Sequence, residues 1–357
     1  MLELSLLLCV IALFITILNA FFVITPRDGN LIQEKISVLV PLRNEELNAV
    51  AIVETLAAQE NLKDVEFIIL DDNSSDKTLK LVRTASSKDS RFNLIQGAAL
   101  PEGWLGKPWA LSQLSEISRG EILVCIDADV RLSAGAISAA VQSLNSHSLD
   151  FLSPYPSQVA HSFGERMIQP LLQWSWLASV PLALAKRSSN PSFAVANGQF
   201  FVVRKKALLQ SGGYPVIKSE VLDDMQMARA LLRNKFKGTV GNGALIAQCH
   251  MYESWSDLRN GYAKSLWKGF GGVFGSILAI ILLALTGILP IVAASMGSPL
   301  GWLAFEAVLL SRIISAKITR ANLFDSLLHP ISAILLIYLI IYSWLMRGRI
   351  QWKGRTV

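Results

Sequence analysis

The chain has 357 residues, 52% hydrophobic and 17% charged, too apolar for an ordinary soluble domain yet charged enough to contain a sizeable folded one. Its formal charge of +6 suits an anionic membrane surface or a phosphate-bearing substrate. No basic groove pattern or aromatic motif interleaved with Lys and Arg stands out, so no nucleic-acid partner is expected.

Residues 1–26 are expected to form a transmembrane anchor. The run from Leu2 to Ile24 is broken only by Glu3, small polar residues and Asn19, and its length matches the roughly 20 residues that a bilayer-spanning helix needs. A cleaved signal peptide is the competing reading. Against it, no Lys or Arg precedes the run, and the run exceeds the ~7–15 residues of a signal-peptide core. Arg27 and Lys35 follow, so the positive-inside rule predicts an integral protein of the inner or plasma membrane with its central domain facing the cytoplasm.

Residues 34–270 are expected to form an α/β domain. Short apolar runs such as Ile36 to Val40, Val65 to Leu70 and Ile122 to Ile126 alternate with amphipathic stretches, the pattern of a mostly parallel sheet. Ligand-binding residues of such sheets sit at the carboxyl ends of strands, and each of these runs leads directly into polar residues. Cys9, Cys125 and Cys249 lack the close spacing of a zinc site or disulfide framework, which fits a reduced cytosolic domain. The stretch Phe163 to Ala185, with Trp174 and Trp176, reads equally as a core helix or as an interfacial helix whose tryptophans lie at headgroup level.

Residues 271–348 return to apolar character, with candidate spans near Gly272 to Ser295, Leu300 to Ile318 and Leu327 to Met346, before a basic tail at 349–357. The number of crossings stays open. Arg312 and Lys317 make the middle span costly unless they snorkel or face protein. Three crossings would put Arg347, Arg349, Lys353 and Arg355 outside, against the positive-inside rule, whereas two would return them to the cytoplasm.

Three acidic clusters carry candidate chemistry. Asp71 and Asp72, opening the sequence Asp71-Asp72-Asn73-Ser74-Ser75-Asp76, follow the strand-like Phe67 to Leu70; a carboxylate there can accept hydrogen bonds from a base or ribose, or simply build a turn and cap a helix near Lys77. Asp127 and Asp129 follow Ile122 to Ile126. Their period-2 spacing points both carboxylates the same way if strand geometry persists, a pair of hard ligands for Mg²⁺ or Mn²⁺ bridging a substrate diphosphate. Asp223 and Asp224 open a predicted helix from Leu222 to Leu232, where the helix dipole alone would favour them and where one could serve as a general base.

Taken in order, Val40-Pro41-Leu42-Arg43-Asn44-Glu45, the Asp71 cluster, Asp127-Ala128-Asp129, Asn197-Gly198-Gln199-Phe200 and Asp223-Asp224 resemble the inverting family 2 glycosyltransferases, which have the GT-A fold. The resemblance covers roughly Ile36 to Phe270. The flanking apolar segments look like the membrane members that glucosylate ceramide, carotenoids or related lipids. Gly103 to Ala110 and the later Met251-Tyr252, Gly261 and Lys264 are similar to the carotenoid- and hopanoid-associated branch.

The resemblance implies a nucleotide-sugar donor, with uridine diphosphate preferred, and a hydroxyl on a lipid-like acceptor. It implies that Pro41, Arg43, Glu45, Asp71 and Asp72 lie near the nucleotide, Lys107 near base or ribose, and Asp127 and Asp129 at the metal and diphosphate. Asp224, beside Asp223, matches the family's catalytic base, and Gly198 and Gln199 the acceptor side. The Gln-x-x-Arg-Trp motif of processive synthases is replaced by Tyr262-Ala263-Lys264-Ser265-Leu266-Trp267-Lys268, which argues against processive polymerisation while leaving Lys264 and Trp267 as substrate contacts. His250 reads as an ordinary strand-end histidine or an additional metal ligand. Transfer to a polyprenyl phosphate and a catalytically inactive membrane scaffold are the alternative functions; intact carboxylate clusters disfavour the scaffold.

Overall fold

The computed structural model describes every residue except Asp28, Glu253, Ile350, Lys353, Gly354 and Val357, so Lys353 of the expected tail lies outside the described residues. In chain order, helix α1 (Leu2–Phe22) precedes strand β1 (Ile32–Leu42), α2 (Ala49–Ala57), β2 (Leu62–Asp71), α3 (Thr78–Ser86) and β3 (Phe92–Gln96). Helix α4 (Gly106–Ile117), β4 (Ile122–Ile126), β5 (Val130–Leu132), α5 (Ala136–Ser146), β6 (Phe151–Tyr155) and the short β7 (Ser157–Gln158) follow. Next come α6 (Phe163–Ser179), α7 (Leu182–Ala185), β8 (Phe200–Arg204), α8 (Lys205–Gln210), α9 (Asp223–Arg233), β9 (Gly238–Asn242) and β10 (Ala247–Cys249). The remainder is mainly helical: α10 (Trp255–Ala263), α11 (Leu266–Gly269), α12 (Val273–Leu283), α13 (Leu289–Ser295), α14 (Pro299–Thr319) and α15 (His329–Met346).

Two compact units result. One comprises Ile24–Ser157 and Leu184–Cys249, the other Met1–Val23, Gln158–Ala183 and His250–Val357. The stretch 34–270, expected as one domain, is thus shared: residues 158–183 and 250–270 group with the apolar helices.

The α/β unit is built on a seven-stranded sheet of order β3-β2-β1-β4-β8-β6-β9. Strands β3, β2, β1 and β4 are mutually parallel, β6 is parallel to β9, and β8 is antiparallel to both β4 and β6. This is the mostly parallel α/β architecture expected from the strand pattern. Phe67 to Leu70 and Ile122 to Val124 expose no surface, because helices cover parallel sheets on both faces and strand segments there can be apolar throughout. Pro41 is tolerated inside β1 because pairing with β4 ends at Leu39, so its missing N–H removes no rung from that ladder.

Among the described residues, the helical unit contains four helices long and apolar enough to cross a membrane, by length and composition: Leu2–Phe22, Val273–Ser295, Pro299–Thr319 and Leu323–Met346. Along α1 the buried residues are Ser5, Cys9, Ala12, Thr16 and Asn19, a small and polar seam with alternating steps of four and three. Ser5 Oγ donates to the Leu285 carbonyl at 2.5 Å, and Thr16 Oγ1 meets Ser311 Oγ at 2.8 Å. Cys9 Sγ reaches the Thr286 carbonyl, which Pro290, four residues on, cannot serve because it lacks an N–H. A π-helical turn at Ala284–Ile288 accompanies this defect.

Arg312, an obstacle to reading α14 as a span, is 3% exposed and donates to the Pro170 carbonyl at 2.9 Å. Lys317 sits exposed in the last turn of that helix, where a cation suits the dipole. Helix α6 starts with a capping box between Ser162 and Glu165. Its Trp174 and Trp176 are buried, and Trp174 Nε1 donates to Ser311 Oγ at 2.7 Å, so of the two readings of this segment the structure favours a core helix.

Asn19 supplies the sharpest test of this packing. Its Nδ2 donates to the Leu177 and Val180 carbonyls at 2.9 and 2.7 Å, and its Oδ1 accepts from Leu182 N–H at 2.9 Å. Asn19→Ala strands these groups in an apolar setting and is expected to cost about 2–4 kcal/mol, read as a loss of several degrees in Tm for the protein in detergent. An unchanged Tm would show that water satisfies them.

Candidate active site

The antiparallel register of β4 with β8 pairs Ile126 with Phe200, so residues entering β8 lie beside residues leaving β4. Asp127 N–H donates to the Gln199 carbonyl at 3.1 Å, and Gln199 N–H donates to Asn197 Oδ1 at 2.8 Å. Asn197 is tied in turn to Ser153 Oγ on β6 by its own N–H at 2.8 Å and carbonyl at 3.0 Å. Gly198 is held between these fixed points. A Cβ there would lie 2.9 Å from Lys107 Nζ and 3.4 Å from Asp224 Cβ, so glycine is demanded by close approach.

Lys107, Asp127, Gly198, Asp223 and Asp224 converge. Lys107, in the first turn of α4, places Nζ 2.6 and 2.9 Å from the two Asp127 oxygens, 3.4 Å from the Gly198 carbonyl and 4.0 Å from Asp223 Oδ2. Asp224 Oδ2 accepts from Gly198 N–H at 2.6 Å and Oδ1 from Met225 N–H at 2.7 Å. Burial, and next the charge of Asp223, push the Asp224 carboxyl up to about 7; Lys107 and the two N–H groups oppose the rise. Leu111, Phe201, Tyr214 and Met227 wall a cavity of about 20 Å³ against these polar groups, room for roughly one water.

Asp129 departs from the period-2 expectation. Strand geometry stops at Ile126, and Val130 N–H closes a turn onto the Asp127 carbonyl at 3.2 Å, so the two carboxylates do not share a strand face. Asp127 turns to Lys107, while Asp129 hydrogen-bonds Cys249 on β10. Burial, then the charges of Asp127 and Glu45, raise the Asp129 carboxyl to about 7. Among the described residues no three His, Cys, Asp or Glu side chains are gathered as a metal site. The Asp127 and Asp129 pair nonetheless fits Mg²⁺ or Mn²⁺, which commonly take one or two carboxylates and complete their shell with substrate phosphates and water. The buried Asp129 Oδ1, which has no hydrogen-bond partner, is an oxygen of the right kind.

The β1 and β2 ends form the second part of the site. Arg43 Nη1 donates to the Asp72 and Asn73 carbonyls at 2.6 and 3.1 Å, and Asn44 N–H to Ser74 Oγ at 3.0 Å. Glu45 N–H donates to Thr78 Oγ1 at 2.7 Å, which joins the loop after Pro41 to the loop after Asp72. Asp71 Oδ2 accepts from Ser74 N–H at 3.2 Å, and its buried Oδ1 has no hydrogen-bond partner.

Lys264 and Trp267 belong to the helical unit. There Trp267 N–H donates to Ser343 Oγ at 2.9 Å and its Nε1 to the Lys264 carbonyl at 3.0 Å. His250 lies in the same unit, its Nε2 3.9 Å from Glu165 Oε1. Three side chains that the sequence did not assign to the site also line or brace it. Arg131 donates to the Ala128 and Val130 carbonyls and to Asn48 Oδ1, bracing the Asp127–Asp129 turn; its place two residues beyond Asp129 was the available signal. Tyr214 Oη lies 3.2 Å from Cys125 Sγ behind the cavity, a contact that sequence spacing does not reveal. Cys249, considered in the sequence only for its spacing from the other cysteines, is the Asp129 partner.

Residues 37–212 match the model of the family described as glycosyl transferase family 2. A 4,4'-diaponeurosporenoate glycosyltransferase of Staphylococcus haemolyticus (strain JCSC1435) is 25% identical over 264 residues, covering 73% of this chain and 68% of the relative. A GalNAc(5)-diNAcBac-PP-undecaprenol beta-1,3-glucosyltransferase of Campylobacter jejuni is 30% identical over 181 residues, 50% of this chain and 53% of that relative, so the match spans about half its length. In fold, the chain is similar to a mannosyltransferase from Pyrobaculum calidifontis in complex with GDP-Man and Mn²⁺, with TM-score 0.58, 19% identity, and 95% of this chain and 99% of that one covered.

The raised Asp224 carboxyl has a stability consequence. Folded protein holds this proton more tightly than unfolded chain, so its contribution is complete below the ordinary carboxylate range and is lost as pH rises through about 7. Asp224→Asn, which cannot ionise, is expected to gain about 1–2 kcal/mol on wild type between pH 4.5 and 8 after allowing for one mismatched N–H contact. Thermal unfolding across that range checks this, and a pH-independent difference between the two proteins would contradict it. The match over 37–212 and the GT-A-like sheet agree: the chain carries a glycosyl transferase family 2 domain, and its similarities support a glycosyltransferase.

Proposed function

We propose that the enzyme transfers a sugar from a nucleotide-sugar, with a uridine diphosphate donor preferred, to a hydroxyl on a lipid-like acceptor, with inversion at the anomeric carbon. The observation that carries the chemistry is Asp224: a carboxyl raised to about 7, beside a second aspartate and linked through Gly198 to the Asp127 turn. A base is most effective when its pKa lies near the working pH, and this one is poised there. The acceptor class is supported by the names of the relatives, one acting on diaponeurosporenoate and one on an undecaprenol-linked acceptor, and by the four apolar helices. Work at the inner or plasma membrane with the α/β unit in the cytoplasm is supported by Arg27 and Lys35 following the first apolar helix.

In this reading Pro41, Arg43, Glu45, Asp71 and Asp72 receive the nucleoside, and the unpartnered Asp71 Oδ1 accepts from the base or a ribose hydroxyl. Asp127 and Asp129 would hold Mg²⁺ or Mn²⁺, which neutralises charge on the departing diphosphate. Asp224 takes the proton from the acceptor hydroxyl as its oxygen attacks the anomeric carbon, and Asp223 keeps the Asp224 carboxyl basic enough to do so. Gly198 leaves space on the acceptor side, with Gln199 holding the segment against Asp127.

The test is nucleoside diphosphate release from UDP- and GDP-sugars by protein in liposomes containing mixed lipid acceptors, with and without Mg²⁺ or Mn²⁺. Wild type should release one diphosphate in a metal- and acceptor-dependent way, with an acidic limb near pH 7 in kcat. Asp224→Asn should lose about 10²–10⁴-fold in kcat. Full activity in that variant would remove Asp224 as the base, and no turnover of any donor by folded wild type would reject the reading. Transfer only to a polyprenyl phosphate would replace the acceptor class and keep the mechanism.

A further inference from the structure

Lys107 occupies an unusual position for a residue expected at a base or ribose. Its ammonium sits astride both oxygens of Asp127, at 2.6 and 2.9 Å, so one lysine engages the whole carboxylate. Its remaining reach is toward the Gly198 carbonyl and Asp223. The pair is accessible: the Lys107 and Asp127 side chains keep 32% and 28% of their surface exposed. An ammonium and a divalent cation compete for the same carboxylate oxygens and repel one another, so Asp127 cannot serve both in this arrangement.

We propose that Lys107 is a resident counter-ion on Asp127 that excludes a divalent cation from the empty enzyme and yields Asp127 only when a nucleoside diphosphate gives the ammonium another anionic partner. Donor and metal then enter as a coupled pair, and the carboxylate cluster never faces solvent without a cation.

The surroundings suit such an exchange. Lys107 stands on the first turn of α4, at the end of a loop in which Gly103 has a positive φ of 77°. The ammonium has the room to sit where it does only because residue 198 lacks a Cβ, which would otherwise press within 2.9 Å of Nζ. Desolvation works against the ammonium, but the carboxylates of Asp127, Asp223 and Asp224 together outweigh it and hold Lys107 in its charged form, so the counter-ion is present beside Asp127. An unpaired lysine of ordinary length can move its ammonium by several ångströms through rotamer changes alone, without moving the helix that carries it.

The inference rests on the donor reading above, and the experiment separates the two. Mn²⁺ binding to the full-length protein in detergent is measured by electron paramagnetic resonance of free Mn²⁺, with and without UDP or GDP. Wild type should bind Mn²⁺ weakly alone and at least 10-fold more tightly with the matching diphosphate. Lys107→Met should bind Mn²⁺ alone at least 10-fold more tightly than wild type and lose most of the gain from nucleotide, whereas Lys107→Arg should behave like wild type. Gly198→Ala provides a second route, displacing the ammonium by a Cβ and raising nucleotide-free affinity in the same direction even where Lys107→Met does not fold. Nucleotide-free Mn²⁺ affinity that is unchanged or weaker in a folded Lys107→Met or Gly198→Ala protein would overturn the counter-ion. Failure of every nucleoside diphosphate to bind wild type, with the gain in the variants intact, would instead overturn the donor reading.

Discussion

The site depends on one antiparallel pairing in a sheet that is otherwise mostly parallel. Because β8 runs against β4, the chain enters β8 beside the point where it leaves β4, and Gly198 and Gln199 are laid next to Asp127. A parallel β8 would start at the opposite edge and carry these residues away. From that contact the rest follows: Gly198 N–H fixes the Asp224 carboxylate, the missing Cβ admits the Lys107 ammonium, and Asp127 is neutralised where burial would otherwise penalise it. Acidic residues from two separate parts of the chain thus share one electrostatic environment, and each raises the proton affinity of its neighbour.

Much of the fold was legible because its physical causes are local. Strands such as Phe67 to Leu70 are continuously apolar, helices announce themselves by period, and Asp223 with Asp224 marks the start of α9 within a residue of where it begins. The spans were legible as hydropathy, but the fate of their polar residues was not. Arg312 looked like an obstacle to crossing and is instead a donor to a carbonyl 142 residues away, a pairing that no window of sequence contains. For the same reason the grouping of residues 158–183 with the apolar helices could not be read: α6 has the composition of an ordinary core helix, and its company is decided by tertiary contacts such as Trp174 with Ser311.

The site was legible as a set of residue types at strand ends and less so as a geometry. Asp127 and Asp129 were singled out by their place after a buried strand, yet the condition for their common direction is not met because the strand ends at Ile126, before either carboxylate, and a turn begins. Lys107 was identified, but its partner was not, since a lysine side chain can reach in many directions and only the fold brings Asp127 under it. Tyr214 and Cys125 carried no signal, being an ordinary buried tyrosine and a strand cysteine until they meet behind the cavity.

The seam on α1 has a consequence for how the protein is made. Helix α1 finds hydrogen-bond partners at Leu285, Thr286 and Ser311, up to 295 residues further along the chain. At about 5–20 residues per second, synthesis of that interval takes roughly 15–60 s. Throughout that time Ser5 lacks its Leu285 partner and Thr16 holds only the Ala12 carbonyl of its own helix, whereas Asn19 meets Leu177, Val180 and Leu182 earlier, and the helical unit can close only after the entire α/β unit has been translated. Helix α1 is thus a late structural member of the helical unit although it precedes every element that it packs against.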